Sequence, residues 1–159
     1  MKKVLTQRYG ATEYLHKDFH GAMSNAIEYL RKVYGVSAVK EYLYNTAKTL
    51  YPNVTRDIKK YGLTALVKHF TKMYSTEKVC NIKIRINKDV GKLVVITPFC
   101  PAVTHMRKNG YRVSPLWKLT EVVVNSAIVD GTGYSYKLLK YNKRTGASTQ
   151  VFYKKGGTP

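Results

Sequence analysis

The chain is poor in cysteine and in acidic residues. It has only Cys80 and Cys100, too few for a disulfide scaffold, and no paired Cys/His spacing indicates a structural zinc. No apolar run is long enough to cross a bilayer, and the first residues lack the apolar core of a signal peptide. We therefore predict a cytoplasmic protein with no transmembrane segment, no metal and no cofactor.

Acidic residues are outnumbered by basic ones. Nine Asp and Glu stand against 28 Lys and Arg, a formal net charge of +19. A positive field of this kind attracts polyanions, anionic membrane surfaces and acidic small molecules. The basic residues are scattered and form no block, so a nucleic-acid partner and a merely solvated basic surface both remain open.

The length and apolar content indicate one domain with its own core. The chain has 159 residues, of which 44% are hydrophobic, and no Pro/Gly/Ser linker divides it. We predict a single domain over 1–159, with an N-terminal arm at 1–17 and a frayed tail at 154–159.

Periodicity predicts helices first and strands later. Asp18 is the expected N-cap of the first helix, Gly35 its end, and Ser37 the cap of a second helix that stops before Pro52. The other predicted helices cover 53–61, 64–73, 101–109 and 116–130, and the predicted strands cover 80–86, 93–97, 134–141 and 148–153. The order ααα(α)-ββ-αα-ββ predicts an α+β fold with helices on one face of an antiparallel sheet of about four strands.

Cys100 precedes Pro101, a residue favoured at the first position of a helix. An N-cap thiol at the positive end of the helix dipole has a lowered pKa, which predicts a nucleophile or a soft ligand. His105, five residues on, reaches the same pocket if the helix lies across it. The alternative is a small buried cap residue. Cys80 is expected in the core, on the apolar face of its strand.

A cluster of polar residues surrounds the predicted start of the first helix. His20 would lie in its first turn and point into a cavity between helices and sheet, while His16 and Asp18 precede it. The three are interpreted either as a metal clip, although their spacing matches no zinc motif, or as a capping aspartate with an ordinary polar histidine nearby.

Glu121 and Asn125 are four residues apart and share one helix face. A carboxylate beside an amide suits general-base catalysis or substrate binding. A solvated helix surface is the alternative.

Three segments carry a resemblance to a known family: His16-Lys17-Asp18-Phe19-His20-Gly21-Ala22, Cys100-Pro101-Ala102-Val103, and residues 125–134. With these the chain, from about residue 14 to residue 153, resembles the L-2-amino-thiazoline-4-carboxylic acid hydrolase family. Its layout is similar to small-ligand-binding domains of the vinyl-reductase type. The resemblance implies an α+β domain with a pocket between helices and sheet, and hydrolysis of a sulfur heterocycle that bears a carboxylate.

The hydrolase hypothesis assigns roles to most of these residues. Cys100 would be the nucleophile, with His20 or His105 as general base. The expected substrate-binding residues are His16, Asp18, Arg107, Arg112, Glu121 and Asn125, with the two arginines holding a carboxylate. The expected partner is a small anionic or heterocyclic ligand. The alternatives are a non-catalytic ligand-binding or sensory module and a nucleic-acid or polyanion binder, and the sequence is compatible with a homo-oligomer.

Overall fold

The computed structural model describes the backbone of residues 12–159 and side chains from Phe19 onward. The helices of this part are α1 (Thr12–Leu50), α2 (Pro52–Tyr61), α3 (Leu63–Thr76), α4 (Pro101–Lys108) and α5 (Leu119–Val129). The strands are β1 (Lys83–Asn87), β2 (Lys92–Thr97), β3 (Tyr134–Tyr141) and β4 (Ser148–Lys154). The predicted α+β class and element order are confirmed.

The strands form one antiparallel sheet in the order β1-β2-β4-β3. Strand β1 pairs with β2 and β3 pairs with β4, each pair forming a hairpin. Strands β2 and β4 pair with each other at the centre of the sheet. Alternate residues of β2, namely Leu93, Val95 and Thr97, are buried. Because side chains alternate between the two faces of a strand, these residues define the inward face, toward the helices.

Gly35 interrupts the long helix α1. Its φ of 86° and ψ of 179° are non-helical, a conformation that essentially only glycine adopts. The two helices predicted on either side of Gly35 are therefore the two halves of α1. Both halves bury residues at a spacing of four, Met23 and Ile27 before the interruption and Val39 and Leu43 after it.

Two apolar clusters make up the core. The first cluster joins α2, α3 and the end of α5 to the inward face of the sheet, through residues such as Ile58, Phe70 and Phe152. The second cluster joins both halves of α1 to α4 and the start of α5, through residues such as Val103 and Trp117. The candidate site lies where the two clusters meet.

Several predicted boundaries were wrong. Helix α1 begins at Thr12, so Asp18 is not its N-cap, His20 is not in its first turn, and residues 12–17 are helical. The rest of the predicted arm, residues 1–11, lies outside the described residues. Strand β1 begins at Lys83, which leaves Cys80 outside it and exposed. Strand β4 extends to Lys154.

No helix in the described part of the chain is long and apolar enough to span a membrane.

The β3–β4 turn contacts the start of α4, and this contact generates a test. The backbone N–H of Cys100 donates to the carbonyl of Thr145 at 2.9 Å. Gly146 has a φ of 68°, and a Cβ on it would overlap Cβ of Cys100 and approach Val103. We expect Gly146→Ala to lower the free energy of unfolding by about 1–2 kcal/mol for its φ and by about 1–3 kcal/mol more for the overlap.

Gly133→Ala is the matched control, because Gly133 has a φ of 82° but open space at the Cβ position. Chemical denaturation of both variants isolates the cost of the overlap. Equal destabilisation would show that the turn does not contact α4 as described.

Candidate functional site

A cavity of about 300 Å³ lies between the two apolar clusters. Its walls come from α1, α3, α4, α5 and the inward face of the sheet. Most of them are apolar or aromatic. The polar or ionisable residues among them are His20, Thr46, Tyr51, His69, Tyr74, Glu77, Thr97, Cys100, Thr120, Glu121, Asn125 and Gln150. Phe19 and Leu50 also line the cavity and are exposed, so they mark its opening.

Glu121, in the first turn of α5, is the ionisable group with the most unusual setting. Its Oε2 is buried and has no hydrogen-bond partner among the described residues. Burial raises the pKa of this carboxyl to about 7, and a hydrogen bond with the Ser148 side chain acts in the opposite direction. Both charge states of Glu121 are therefore populated near neutral pH.

A chain of hydrogen bonds lies on the sheet side of the cavity, and three of its members, Thr97, Asn125 and Gln150, line the cavity with Glu121. Asn125 Nδ2 donates to Gln150 Oε1 at 2.9 Å, and Gln150 Nε2 donates to Ser148 Oγ at 3.0 Å. The hydroxyls of Ser148 and Thr97 are 2.9 Å apart, and the Tyr136 hydroxyl donates to Gln150 Oε1 at 3.2 Å. These contacts fix the floor of the site, since buried polar groups need partners.

Three tyrosines surround the same region. Burial raises the pKa of Tyr74, Tyr136 and Tyr141, and the carboxylate of Glu121 raises each of them further. All three are therefore neutral hydroxyls at physiological pH. A charged Glu121 therefore acts on all three tyrosines.

Aromatic rings form the other walls. The rings of His20 and Trp117 meet edge to face, with centroids 6.4 Å apart. His69 lies between Tyr51 and Phe70, at 5.6 and 5.4 Å from their ring centroids. Burial lowers the pKa of His69, which favours its neutral form.

Cys100 is the N-cap of α4 and Pro101 follows at the first helical position, as predicted. The expected low pKa is wrong, however. Burial raises the pKa of the thiol, and the carboxylate of Glu121 raises it further. Hydrogen bonds with the backbone of Val103 and Ala102 and with the side chain of Trp117 lower the pKa of the thiol, but the net shift is upward. The thiolate is therefore disfavoured at neutral pH.

Four of the predicted site residues meet in this cavity: His20, Cys100, Glu121 and Asn125. Asn125 is buried, so the interpretation of Glu121 and Asn125 as a solvated helix surface was wrong. The side chains of His16 and Asp18 lie outside the described residues.

Three predicted site residues lie elsewhere. His105 contacts Asn109 through its ring, at 3.1 Å, and the ring of Tyr111. Helix α4 buries Ala102, Val103 and Met106, so Arg107 is exposed on its other side, and Arg112 is exposed in the following loop. None of the three lines the cavity.

Sequence reasoning missed Thr97, Ser148, Gln150, Tyr74 and Trp117. A signal for three of them was present. Thr97, Ser148 and Gln150 are separated by even numbers of residues from the apolar Val95 or Phe152 of their own strands. The alternation therefore predicts that these polar side chains lie on the inward face of the sheet. For Tyr74 and Trp117 the sequence holds no such signal.

Comparisons with known proteins add no relative. No family model matches the chain, and no curated protein or solved structure shows significant similarity to it. Among the described residues, no group of three or more His, Cys, Asp or Glu is placed to hold a metal ion.

The pKa of Glu121 predicts how stability changes with pH. Because its folded pKa of about 7 exceeds the ordinary value of 4.5, the folded state binds the proton more tightly than the unfolded state. Its contribution is therefore complete below about pH 4.5 and is lost as pH rises through about 7, at a total cost of about 3 kcal/mol. His69, whose pKa is lowered, acts in the opposite direction below about pH 6.5.

Glu121→Gln removes the first effect and leaves the second. We expect the variant to gain stability over the wild type at about pH 8 but not at about pH 5, measured by urea denaturation. Glu41→Gln, at an exposed position of α1, is the control. A difference between wild type and Glu121→Gln that does not vary with pH would contradict the raised pKa.

The two cysteines generate a second test. Cys80 is exposed, whereas Cys100 is half-buried with a raised pKa. We expect iodoacetamide at neutral pH to alkylate Cys80 first, because alkylation requires an accessible thiolate. Peptide mass spectrometry over time, with Cys80→Ser and Cys100→Ser as controls, measures the two rates. Faster alkylation of Cys100 than of Cys80 would instead support the hypothesis that Cys100 is an activated nucleophile.

Proposed function

We propose that the cavity binds a small, largely apolar molecule whose polar end is neutral or cationic. The buried Oε2 of Glu121, which has no hydrogen-bond partner among the described residues, carries the proposal. A buried acceptor without a partner costs free energy, and a ligand that supplies a partner recovers this cost. Glu121 is therefore the proposed anchor.

The charges of the lining support the sign of the ligand. Glu77 and Glu121 line the cavity, and no Lys or Arg does so among the described residues. An anionic ligand would enter a poorly solvated site without a compensating cation, which is unfavourable. The excess of basic residues in the chain therefore says nothing about the ligand.

The protonation of Glu121 decides which polar group the ligand carries. The ionised carboxylate pairs with a cation or accepts from a neutral donor, whereas the protonated form donates to an acceptor. With a pKa of about 7, both forms are accessible near neutral pH. Binding of a cation should strengthen as pH rises through about 7.

The rest of the lining supports a planar, apolar body. Trp117, His20, Phe70 and Tyr74 offer ring faces and edges, which favour stacked or edge-to-face contacts with an aromatic ligand. The volume of about 300 Å³ is at the lower end of the range typical of small-molecule sites. A bicyclic ring with one short polar substituent is the size we expect.

The hydrolase function implied by the family resemblance is the second candidate. Cys100 and His20 line the same cavity, which supports a shared role in binding or catalysis. The exposed Arg107 and Arg112 do not supply the expected carboxylate clamp. The geometry therefore favours binding over hydrolysis of a carboxylate-bearing heterocycle.

A matched ligand series tests the proposal. 1-Naphthylmethylamine, 1-naphthalenemethanol and 1-naphthoate share one ring system and differ in charge. At about pH 8 we expect the amine to bind at least about tenfold more tightly than the carboxylate, equivalent to about 1.4 kcal/mol, with the alcohol between them. Isothermal titration calorimetry at about pH 6 and about pH 8 would show the preference for the amine growing with pH.

Glu121→Gln should remove that preference, and Glu41→Gln should preserve it. Naphthoate binding as tightly as the amine would contradict the proposal. Product formation from an added thiazoline, lost in Cys100→Ser, would instead favour the hydrolase.

A further inference from the structure

The sheet has a second face, directed away from both apolar clusters. Every strand residue in the first cluster has the parity of the buried Leu93, Val95 and Phe152, and the second cluster contains no strand residue. The alternate residues of the same strands therefore form a separate surface. We call this surface the outer face. Its residues are Lys83, Arg85 and Asn87 in β1, Lys92, Val94 and Ile96 in β2, Thr149, Val151 and Tyr153 in β4, and Ser135, Lys137 and Lys140 in β3.

The pairing register arranges these residues in rows across the sheet. One row reads Lys83, Ile96, Thr149, Lys140, and the next reads Arg85, Val94, Val151, Lys137. Both of these rows begin and end with an exposed basic side chain on an edge strand. The third row reads Asn87, Lys92, Tyr153, Ser135, and its one basic residue lies on the central strand β2. The two basic edges are about 14 Å apart, since three strand spacings separate them.

The floor between the basic edges is apolar or hydroxylic, apart from the half-buried Lys92 of β2. Val94, Ile96, Thr149 and Tyr153 are half-buried and Val151 is buried. No acidic residue occurs in any of the four strands, and the nearest one in sequence to β1 is Asp89, in the β1–β2 turn. The outer face thus combines a single sign of charge with a shallow floor that ends in one aromatic ring.

We propose that the outer face binds single-stranded nucleic acid. The edge lysines and Arg85 would contact phosphates. The half-buried Tyr153, with the half-buried Val94 and Ile96 beside it, would contact the faces of unpaired bases. A duplex hides its base faces and would leave this floor unused. A membrane is a poorer fit, because the floor residues are half-buried or buried and have no large exposed apolar side chain to insert.

Edge-strand lysines also have a simpler role. They prevent edge-to-edge pairing of sheets from different molecules. That role requires charge at the edges but no affinity for a polyanion. The net charge of +19 would in addition give weak binding at any basic surface, so the test must separate position from total charge.

Fluorescence polarisation with labelled oligothymidylate measures the affinity of variants that lose the same number of charges at different positions. The test variant is Lys83→Gln, Arg85→Gln, Lys137→Gln and Lys140→Gln combined. The control combines Lys32→Gln, Lys40→Gln, Lys68→Gln and Lys72→Gln, which are exposed basic positions of α1 and α3 and remove the same number of charges. Circular dichroism and size-exclusion chromatography verify that both variants are folded and monodisperse.

The salt dependence of the affinity shows how many phosphates the protein contacts. If four phosphates are contacted, wild-type affinity should fall about 50-fold between about 50 and 200 mM salt, since each contact adds about 0.7 to the slope. The test variant should bind at least about tenfold more weakly than the control at about 50 mM salt and lose most of that slope. Tyr153→Leu should weaken binding to oligothymidylate but not to a duplex of equal length.

Equal loss in the two quadruple variants would overturn the proposal, because binding would then follow net charge alone. Aggregation of the test variant, with affinity unchanged in its monomeric fraction, would overturn it in favour of edge protection. Tighter binding to duplex, or binding only to vesicles containing phosphatidylserine, would also overturn it.

Discussion

The rest of the structure depends on a change of chemistry along the inward face of the two central strands. At one end of this face Leu93 pairs with Phe152, and at the other Thr97 pairs with Ser148. The apolar end packs against α3 in the first cluster. The polar end cannot pack in this way, because its buried groups need hydrogen bonds. It obtains them internally and from Asn125, so α5 must cover this end of the sheet. The cavity occupies the boundary between the two kinds of packing.

A second group of polar contacts holds the wall of the cavity that contains Trp117 in place. Ser24 of α1 donates to the carbonyl of Arg112 at 2.7 Å and accepts from the backbone N–H of Ser114 at 2.9 Å. The Ser114 hydroxyl donates to Glu28 at 2.7 Å, whose pKa is lowered first by Arg31 and then by Ser114 itself. These contacts attach the loop before α5 to α1. Because Trp117 belongs to that loop, its position beside His20 is a consequence of this attachment.

Local patterns predicted the elements well, and the site only in part. Proline chemistry placed Cys100 at an N-cap, and this was correct. The pKa of the thiol was wrong, because an N-cap position does not reveal how deeply the sulfur is buried or that Glu121 lies near it. The prediction that Arg107 contacts a ligand in the pocket was wrong for a related reason. Sequence spacing places it on α4, but only the packing of Val103 and Met106 decides which side of α4 faces the core. Spacing left Glu121 and Asn125 undecided, because a helix face acquires its environment from the elements that pack against it.

The sheet separates two opposite chemistries by the alternation of its side chains. On the inward side Glu121 stands in a cavity whose described lining contains no Lys or Arg, while the outer face presents Lys83, Arg85, Lys137 and Lys140. A shift of register by one residue would exchange the two sets. It would bury the lysines and expose Leu93 and Val95, which makes a one-residue shift of register costly. The excess of basic residues therefore lies outside the described lining of the cavity. A ligand in the cavity and a polyanion on the outer face would bind without competing for any residue, because the lining of the cavity and the outer face share none.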